Sequence, residues 1–268
     1  MKPVVLAVTL AFFATSHKAV SHEFWIDPLD FDVAVGEPVI AHLRVGEDFV
    51  GSSMSYLPRN FELFTVASGG DTLPVEGRLG DIPAANIEGL SNGLAVIAHQ
   101  TGVNRLTWDE WERFLGFANH KDLGDVTEMH AERGLSLENV REDYVRYAKS
   151  MIAVGDGEGS DARVGMRAEL VALTNPYGSE FGGNMVVELW YDGALQADTQ
   201  VEVFAADADG NVEITLARTN SDGIAEIPVQ AGLRYMFDSV FLEAVESEVD
   251  GDAIWVTHWA NLTFAVPQ

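Results

Sequence analysis

Histidine is the residue type through which this chain could hold a metal ion, and His22 is the best placed of its seven histidines. If the chain is cleaved just before it, His22 offers a ring nitrogen and an α-amine to the same cation. An α-amine with a pKa of about 7.7–8.0 loses its proton at modest cost. An amino-terminal copper and nickel motif needs histidine in third place, where Phe24 stands. A tight site at His22 therefore requires ligands from other parts of the chain.

The remaining ligands are expected on predicted strands that can pair beside the amino terminus. His42 and His99 belong to the first β-rich region, and His258 belongs to the last predicted strand. The predicted metal ligands are therefore His22, His42, His99 and His258. Carboxylate oxygens for the same site are offered by Glu23, Asp27, Glu47 and Asp48. The alternative for each of the strand histidines is a half-buried ring that bonds a backbone carbonyl or water.

Two further histidines and one acidic segment carry weaker signals. His120 and His130 lack the i, i+4 spacing of a helical metal pair, so solvated positions on a helix surface are the favoured interpretation. The segment 207–211 begins like a calcium loop. However, Val212 stands where that loop needs glycine, and Arg218 stands where it needs glutamate. The segment is therefore predicted to be a hairpin turn.

The composition restricts the partners of the protein. The chain has 268 residues, with 42 acidic and 16 basic side chains, a formal charge of −26 and no cysteine. This charge repels nucleic-acid phosphates and anionic lipids, and it attracts cations. Without cysteine there is no thiolate ligand, thiol nucleophile or disulfide. A hydrophobic fraction of 47% is ordinary for a globular protein and excludes a disordered chain.

The first residues predict a secretory signal peptide over residues 1–21. Lys2 precedes an apolar run from Val4 to Ala14, and the small residues Ala19 and Ser21 suit the positions before a cleavage site. An earlier cut would fall almost inside the apolar run, so the later cut is preferred. The run is too short to span a bilayer, and no second run is long enough. The mature protein is therefore expected to be soluble outside the cytoplasm, with no membrane insertion.

The elements that must position the candidate ligands fall into three regions. Residues 22–106 and 161–268 alternate apolar and polar side chains between turn signals, which predicts antiparallel strands. Residues 107–160 change to helical spacing, with a capping box at 107–110, a stronger helix over 136–151 and an acidic glycine-rich linker at the end. The predicted fold is mainly β. It consists of two immunoglobulin-like or transthyretin-like antiparallel sandwich domains with a helical insert between them.

Four segments of the chain together resemble a known family. They are His22–Pro28, Leu43–Glu47, Tyr144–Lys149 and Trp259–Phe264, in this order. The family is a large, uncharacterised group of secreted bacterial proteins with a His-x-Phe-Trp start, labelled periplasmic components of cobalt or nickel uptake. The resemblance implies a periplasmic location and a nickel or cobalt cargo. Tyrosine is common in the family at the positions of His99 and His258, so these two histidines depart from the family's pattern. A family label does not supply a mechanism.

These observations predict a periplasmic protein that binds and delivers a divalent transition metal. Imidazole, amine and carboxylate donors suit Ni²⁺, Co²⁺, Cu²⁺ or Zn²⁺. The expected partner is a membrane metal transporter or an outer-membrane receptor, and nucleic acid is not expected. The sequence has no Gly-x-Ser-x-Gly, phosphate-loop or His-Glu-x-x-His motif, so a binding protein is favoured over an enzyme. Two alternatives stay open: a copper oxidoreductase with a histidine brace at His22, and a metal-free structural or adhesion-type sandwich.

The predicted cleavage site leads to a direct test. The intact mass of the exported protein should correspond to a chain that begins at His22, because small residues precede that position. Mass spectrometry of protein purified from the periplasm measures this. A chain that begins earlier, or that keeps its leader, would contradict the prediction, since the free α-amine would then belong to another residue.

Overall fold

The computed structural model describes residues 22–246, 249 and 251–268, so the predicted signal peptide lies outside the described residues. In chain order the strands are β1 (Glu23–Pro28), β2 (Asp32–Val33), β3 (Val39–Glu47), β4 (Val50–Met54), β5 (Phe61–Ser68), β6 (Asp71–Pro74), β7 (Ala85–Ile87), β8 (Gly93–Thr101), β9 (Asn104–Trp108), β10 (Val140–Val154), β11 (Ala168–Ala172), β12 (Asn184–Tyr191), β13 (Ala194–Leu195), β14 (Gln200–Ala206), β15 (Val212–Arg218), β16 (Ile224–Pro228), β17 (Arg234–Ala244) and β18 (Trp255–Ala265). The helices are α1 (Trp111–His120) and α2 (Val126–Glu132), and neither of these described helices is long and apolar enough to cross a membrane.

The strands form three sheets, which confirms the predicted mainly-β, sandwich-like fold. The central sheet has ten strands. Its main path runs β15-β14-β17-β18-β10-β8-β5-β6, and β2 and β9 also pair with β10. Two four-stranded sheets accompany it. One contains β1, β3, β4 and β7, and the other contains β11, β12, β13 and β16.

The long strand β10 contributes to two hydrophobic cores. Tyr147 and Met151 pack into a core shared with β11, β12 and β16, whereas Ala148 and Ile152 pack into a core shared with β1 and β3. Successive residues of a strand point to opposite faces of its sheet. The two small sheets therefore pack on opposite faces of the central sheet.

The structure contradicts the predicted helix over residues 136–151, because most of that segment belongs to β10. The strand lies between β18 on one side and β8 and β9 on the other. From Val145 onward every residue of β10 is buried, so the alternation that marks a half-exposed strand is missing. Apolar residues on both faces then imitate helical spacing. The central sheet consequently takes strands from all three of the predicted regions.

Two smaller predictions for the helical region are also wrong. The proposed capping box fails because Thr107 lies in β9, and α1 begins at Trp111 without a side-chain cap. The supposed flexible linker is a hydrogen-bonded loop. Asn92 Nδ2 donates to Asp156 Oδ2 at 2.6 Å, and Lys149 Nζ donates to the buried Asp161 carboxylate at 2.7 Å.

The hairpin turn predicted at residues 207–211 is confirmed. Asp207 Oδ1 accepts hydrogen bonds from the backbone nitrogens of Asp209 and Asn211, each at 2.9 Å. The turn joins β14 to β15, whose residues pair from Gln200 with Arg218 to Ala206 with Val212. It therefore sets the register of the strand that carries Glu202.

One face of the central sheet carries a row of buried polar side chains. Glu202 on β14, Asp238 on β17 and Asn261 on β18 stand opposite one another in adjacent strands. Each is at most 2% exposed. The start of β1 and the end of α1 meet this row through Glu23 and Lys121. The fold thus brings the predicted amino terminus to a buried acidic surface.

Candidate functional site

His22 lies at the surface just before β1, and its backbone is anchored. Its carbonyl accepts a hydrogen bond from Arg146 Nη2 at 2.8 Å. Its ring Nε2 lies 3.8 Å from Glu47 Oε1, and both side chains are about half exposed. The pairing of β1 with β3 places Glu23 opposite Gly46, which brings the next residue, Glu47, beside His22. The backbone of His22 is therefore held in place while its imidazole stays accessible.

His42 lies too far along β3 to share an ion with His22. It stands opposite Asp27, at the other end of β1. Glu47 marks the level of His22, and it lies five positions along β3 from His42, which corresponds to about 17 Å along a strand. His42 Nδ1 is buried and has no hydrogen-bond partner among the described residues. The structure does not bring His42 into a site with His22.

His99 is enclosed by aromatic rings. Its ring centroid lies 4.7 to 5.1 Å from those of Phe24, Phe61 and Phe64. Neither of its ring nitrogens has a hydrogen-bond partner among the described residues. Burial lowers the pKa of His99 to about 3. Its role in the structure is that of a neutral ring packed in a core.

His258 belongs to a separate polar cluster on the far face of the central sheet. Its Nδ1 lies 3.1 Å from the Tyr147 hydroxyl, and its Nε2 lies 3.0 Å from Glu243 Oε2 and 3.1 Å from Arg167 Nη1. Burial lowers its pKa, although Glu243 opposes the shift.

The structure thus places the predicted ligands His22, His42, His99 and His258 in different environments. Within residues 22–246, 249 and 251–268, no group of three potential metal ligands contains any of them.

The two helix histidines differ from each other, and only one is a solvated surface residue. His130 is 1% exposed, and its Nε2 lies 3.0 Å from the Ser136 carbonyl. The expectation of a solvated ring is therefore wrong for His130. The side chain of His120 is 58% exposed, but its Nε2 lies 2.8 Å from Glu202 Oε1. His120 is therefore both accessible and paired with a buried carboxylate.

Lys121 is the centre of the site. Its buried Nζ donates to Glu23 Oε1 at 3.2 Å, to Asp238 Oδ2 at 3.1 Å and to Glu202 Oε2 at short range. It also lies 4.9 Å from the centroid of the Trp259 ring. The three carboxylates form the group of potential metal ligands found among the described residues, with atoms within 4.8 Å of one another. In this protein the ammonium of Lys121 occupies the position between them.

Burial and the ammonium act against each other in this cluster. Burial raises the pKa of Glu23 to about 7, although Lys121 opposes the shift. Burial raises the pKa of Asp238 as well. Burial also acts to raise the pKa of Glu202, but hydrogen bonds from His120 and Lys121 outweigh it and hold that pKa below its usual value. The hydrogen bond to Glu202 raises the pKa of His120. Glu202 is thus the carboxylate that stays charged beside His120.

A pocket of about 630 Å³ opens in front of this cluster. It is lined by Glu23, Glu47, Asp48, Arg113, Gly116, Phe117, His120, Glu202, Phe204 and Ile214. The acidic lining residues are accompanied by one imidazole, one guanidinium and the apolar side chains of Phe117, Phe204 and Ile214. The pocket therefore combines groups that can ligate a metal with apolar surface.

Part of this site is predictable from the sequence, and part of it is not. Glu23, Glu47 and Asp48 were expected to offer oxygens, and all three line the pocket. Lys121 has no feature in the sequence that separates it from the other charged residues. An acidic residue between Val201 and Val203, on a predicted strand, was the available hint that Glu202 lies on a buried polar face.

One protein family matches most of the chain. It is described as "Domain of unknown function (DUF4198)", and the match covers residues 19–242. No curated protein matches the sequence. A solved structure titled "Crystal structure of tetra-tandem repeat in extending region of large adhesion protein" is similar at 11% identity and a TM-score of 0.21. The similarity covers 91% of this chain and 50% of that chain, so the protein spans half of that structure's length.

The buried ring of His99 should make the protein sensitive to acid. Its folded-state pKa of about 3 lies below the ordinary value of 6.5, so its contribution to stability is complete above pH 6.5 and declines as the pH falls through 6.5 towards 3. At pH 5 the loss is about 2 kcal/mol. His99→Phe should remove this loss. Urea unfolding at pH 7.5 and 5 measures it, with His22→Phe as the exposed control. Equal pH dependence in wild type and His99→Phe would contradict the prediction.

Removing the charge of Lys121 should destabilise the fold. Lys121→Met keeps the chain length but leaves three buried carboxylates without a cation, which costs about 3–5 kcal/mol. The defect should shrink at pH 5, because protonated carboxylates no longer need the ammonium. Urea unfolding at both pH values measures it. Lys149→Met is the matched control, since Lys149 is equally buried beside two carboxylates. If Lys149→Met lowered the free energy of unfolding and Lys121→Met did not, the Lys121 cluster would not be essential for the stability of the fold.

Proposed function

We propose that this protein, which belongs to the family of the domain of unknown function DUF4198, binds a divalent transition metal at the pocket beside His22 and delivers it to a partner. The metal is cargo that is bound and released, without covalent chemistry. The proposed ligands come from two imidazole–carboxylate pairs, His22 with Glu47 and His120 with Glu202. Without a metal the two pairs do not meet at one point, so the exposed imidazoles must turn towards the ion to bind it together. This set keeps the amino-terminal histidine of the sequence prediction and replaces the other three histidines.

The observation that carries the proposal is that two imidazole–carboxylate pairs border one pocket. His22 adjoins the pocket through Glu47, and His120 reaches it together with Glu202. Imidazole and carboxylate are borderline and hard donors that suit Ni²⁺, Co²⁺, Cu²⁺ and Zn²⁺, and affinity for such donors is highest for Cu²⁺. With no cysteine in the chain, a thiolate site is excluded. The donors therefore fit the class of metal expected from the sequence.

The accessibility of the ligands supports delivery more than permanent retention. The side chains of His22 and His120 are 55% and 58% exposed. A partner can therefore reach the metal without unfolding the protein. The formal charge of −26 attracts cations to the surface. A membrane metal transporter or an outer-membrane receptor is the proposed recipient.

Two further parts of the proposal do not depend on the pocket: nickel or cobalt as the cargo, and the periplasm as the location. The resemblance of the His22–Pro28 start to the secreted family supports both. The leader-like residues before His22 support export. A free α-amine at His22 would add a second nitrogen to the ring nitrogen of the same residue.

The role of the terminus can be tested with one added residue. Placing a glycine before His22 in the mature protein should weaken nickel binding about as much as His22→Ala does, because the chelate needs both nitrogens on one residue. We expect a loss on the order of 10–100-fold, with the effect of outer-shell substitutions as a lower guide. Calorimetric titration of metal-free protein with Ni²⁺, Co²⁺, Cu²⁺ and Zn²⁺ measures it.

Two further variants distinguish the pocket from the original set of strand histidines. His120→Gln should weaken binding, and His42→Gln should leave it unchanged, because only His120 lines the pocket. If His42→Gln weakened binding and His120→Gln did not, the ligand set predicted from the sequence, which includes His42, would be favoured. Equal, weak binding by the wild type, the glycine-extended form and both histidine variants would mean that the site does not exist.

A further inference from the structure

The pocket is larger than a metal ion requires. A water molecule takes about 30 Å³ in the liquid, so an ion with a few bound waters fills a small part of the roughly 630 Å³ available. Pockets for small organic molecules measure about 300–1,000 Å³. The volume therefore leaves room for an organic molecule beside the metal.

Part of the pocket lining is apolar. Phe117 on α1 and Phe204 on β14 line the pocket and are 5% and 2% exposed. Ile214 on the edge strand β15 stands opposite Phe204 and is 44% exposed. An exposed isoleucine beside two buried aromatic rings gives a surface on which an apolar group can lose its contact with water.

Arg113 gives the pocket a positive group on an otherwise acidic lining. It lies on the exposed side of α1 and lines the pocket. Among the described residues, its guanidinium makes no ion pair or side-chain hydrogen bond in the structure. A guanidinium binds a carboxylate through two parallel hydrogen bonds. It is therefore available for an anionic group of a ligand.

We infer that the cargo is a complex of the metal with a small organic chelator that carries a carboxylate and an apolar group. This inference rests on the proposed function. The metal of the complex faces His120, Glu202 and Glu47. The apolar group lies on Phe117, Phe204 and Ile214, and a carboxylate of the chelator faces Arg113. The charged and apolar groups that such a complex needs are all among the residues that line the pocket.

Gly116 allows the organic part of the pocket to be closed selectively. It lies on α1 among the lining residues, and an added Cβ would meet no atom within 4 Å. Leucine is also a better helix former than glycine. Gly116→Leu should therefore fold normally and place its side chain in the space of the chelator. Gly116→Ala is the matched small variant.

The experiment compares three nickel probes in calorimetric titrations of the mature protein. They are Ni²⁺ alone, the equimolar Ni²⁺ complex of iminodiacetate, and the equimolar Ni²⁺ complex of N-benzyliminodiacetate. Both chelators leave nickel positions open for protein ligands, and they differ only in the apolar group. We expect the benzyl complex to bind at least tenfold more tightly than the iminodiacetate complex.

The variants should separate the two parts of the pocket. Gly116→Leu should abolish the preference for the benzyl complex, and Gly116→Ala should retain it. Arg113→Gln should weaken both chelates about three- to tenfold, and none of these variants should alter the affinity for Ni²⁺ alone. Circular dichroism spectra and urea unfolding check that each variant is folded.

Three results would overturn the inference in distinguishable ways. Binding of Ni²⁺ alone, with no preference for the benzyl complex, would contradict the chelator and leave the proposed function intact. Equally tight binding of metal-free N-benzyliminodiacetate would show that the pocket recognises an organic anion without metal. Failure of every nickel probe to bind would contradict the proposed function itself.

Discussion

The ammonium of Lys121 is the interaction on which the site depends. It connects the end of α1 with Glu23 of β1, Glu202 of β14 and Asp238 of β17. Four elements distant in sequence are thus fixed by one side chain. Because His120 precedes Lys121 and His22 precedes Glu23, the same contacts place His120 in the pocket lining and His22 beside the lining residue Glu47. A buried cation in this position also prevents the three carboxylates from repelling one another.

A second buried lysine does comparable work on the other side of the central sheet. Lys149 Nζ donates to Asp161 and Glu169, and it thereby holds the acidic loop after β10 against β11. Buried ion pairs add little net stability, but breaking one by removing a single partner is costly. The two lysines therefore act less as sources of stability than as constraints that allow one arrangement of the elements. Such constraints suit a chain whose acidic residues far outnumber its basic ones.

The sequence was sufficient for the fold class and for local turns, but not for the contacts between distant segments. Alternation and turn residues predicted the β class, and the missing calcium ligands predicted the hairpin at 207–211. The pattern failed at β10, since burial on both faces removes the alternation that identifies a strand. The predicted ligands His42, His99 and His258 follow from residue type alone, since each is a histidine on a predicted strand. Whether His99 or His120 faces His22 depends on strand order and on the path of α1, which composition and periodicity do not encode.

The anchoring of the His22 backbone explains how the proposed metal site can be both specific and reversible. Arg146 holds the carbonyl of His22, and the β1–β3 pairing fixes the following residues. The backbone positions of the proposed ligands are therefore preorganised, so metal binding would require little ordering of the backbone. The imidazoles of His22 and His120 nevertheless stay about half exposed, so competing ligands from a partner can approach. A metal in the position of the ammonium, between Glu202 and the buried Glu23 and Asp238, would lack such a route. The lysine thus occupies the buried position and leaves the pocket in front of it as the proposed place of metal exchange.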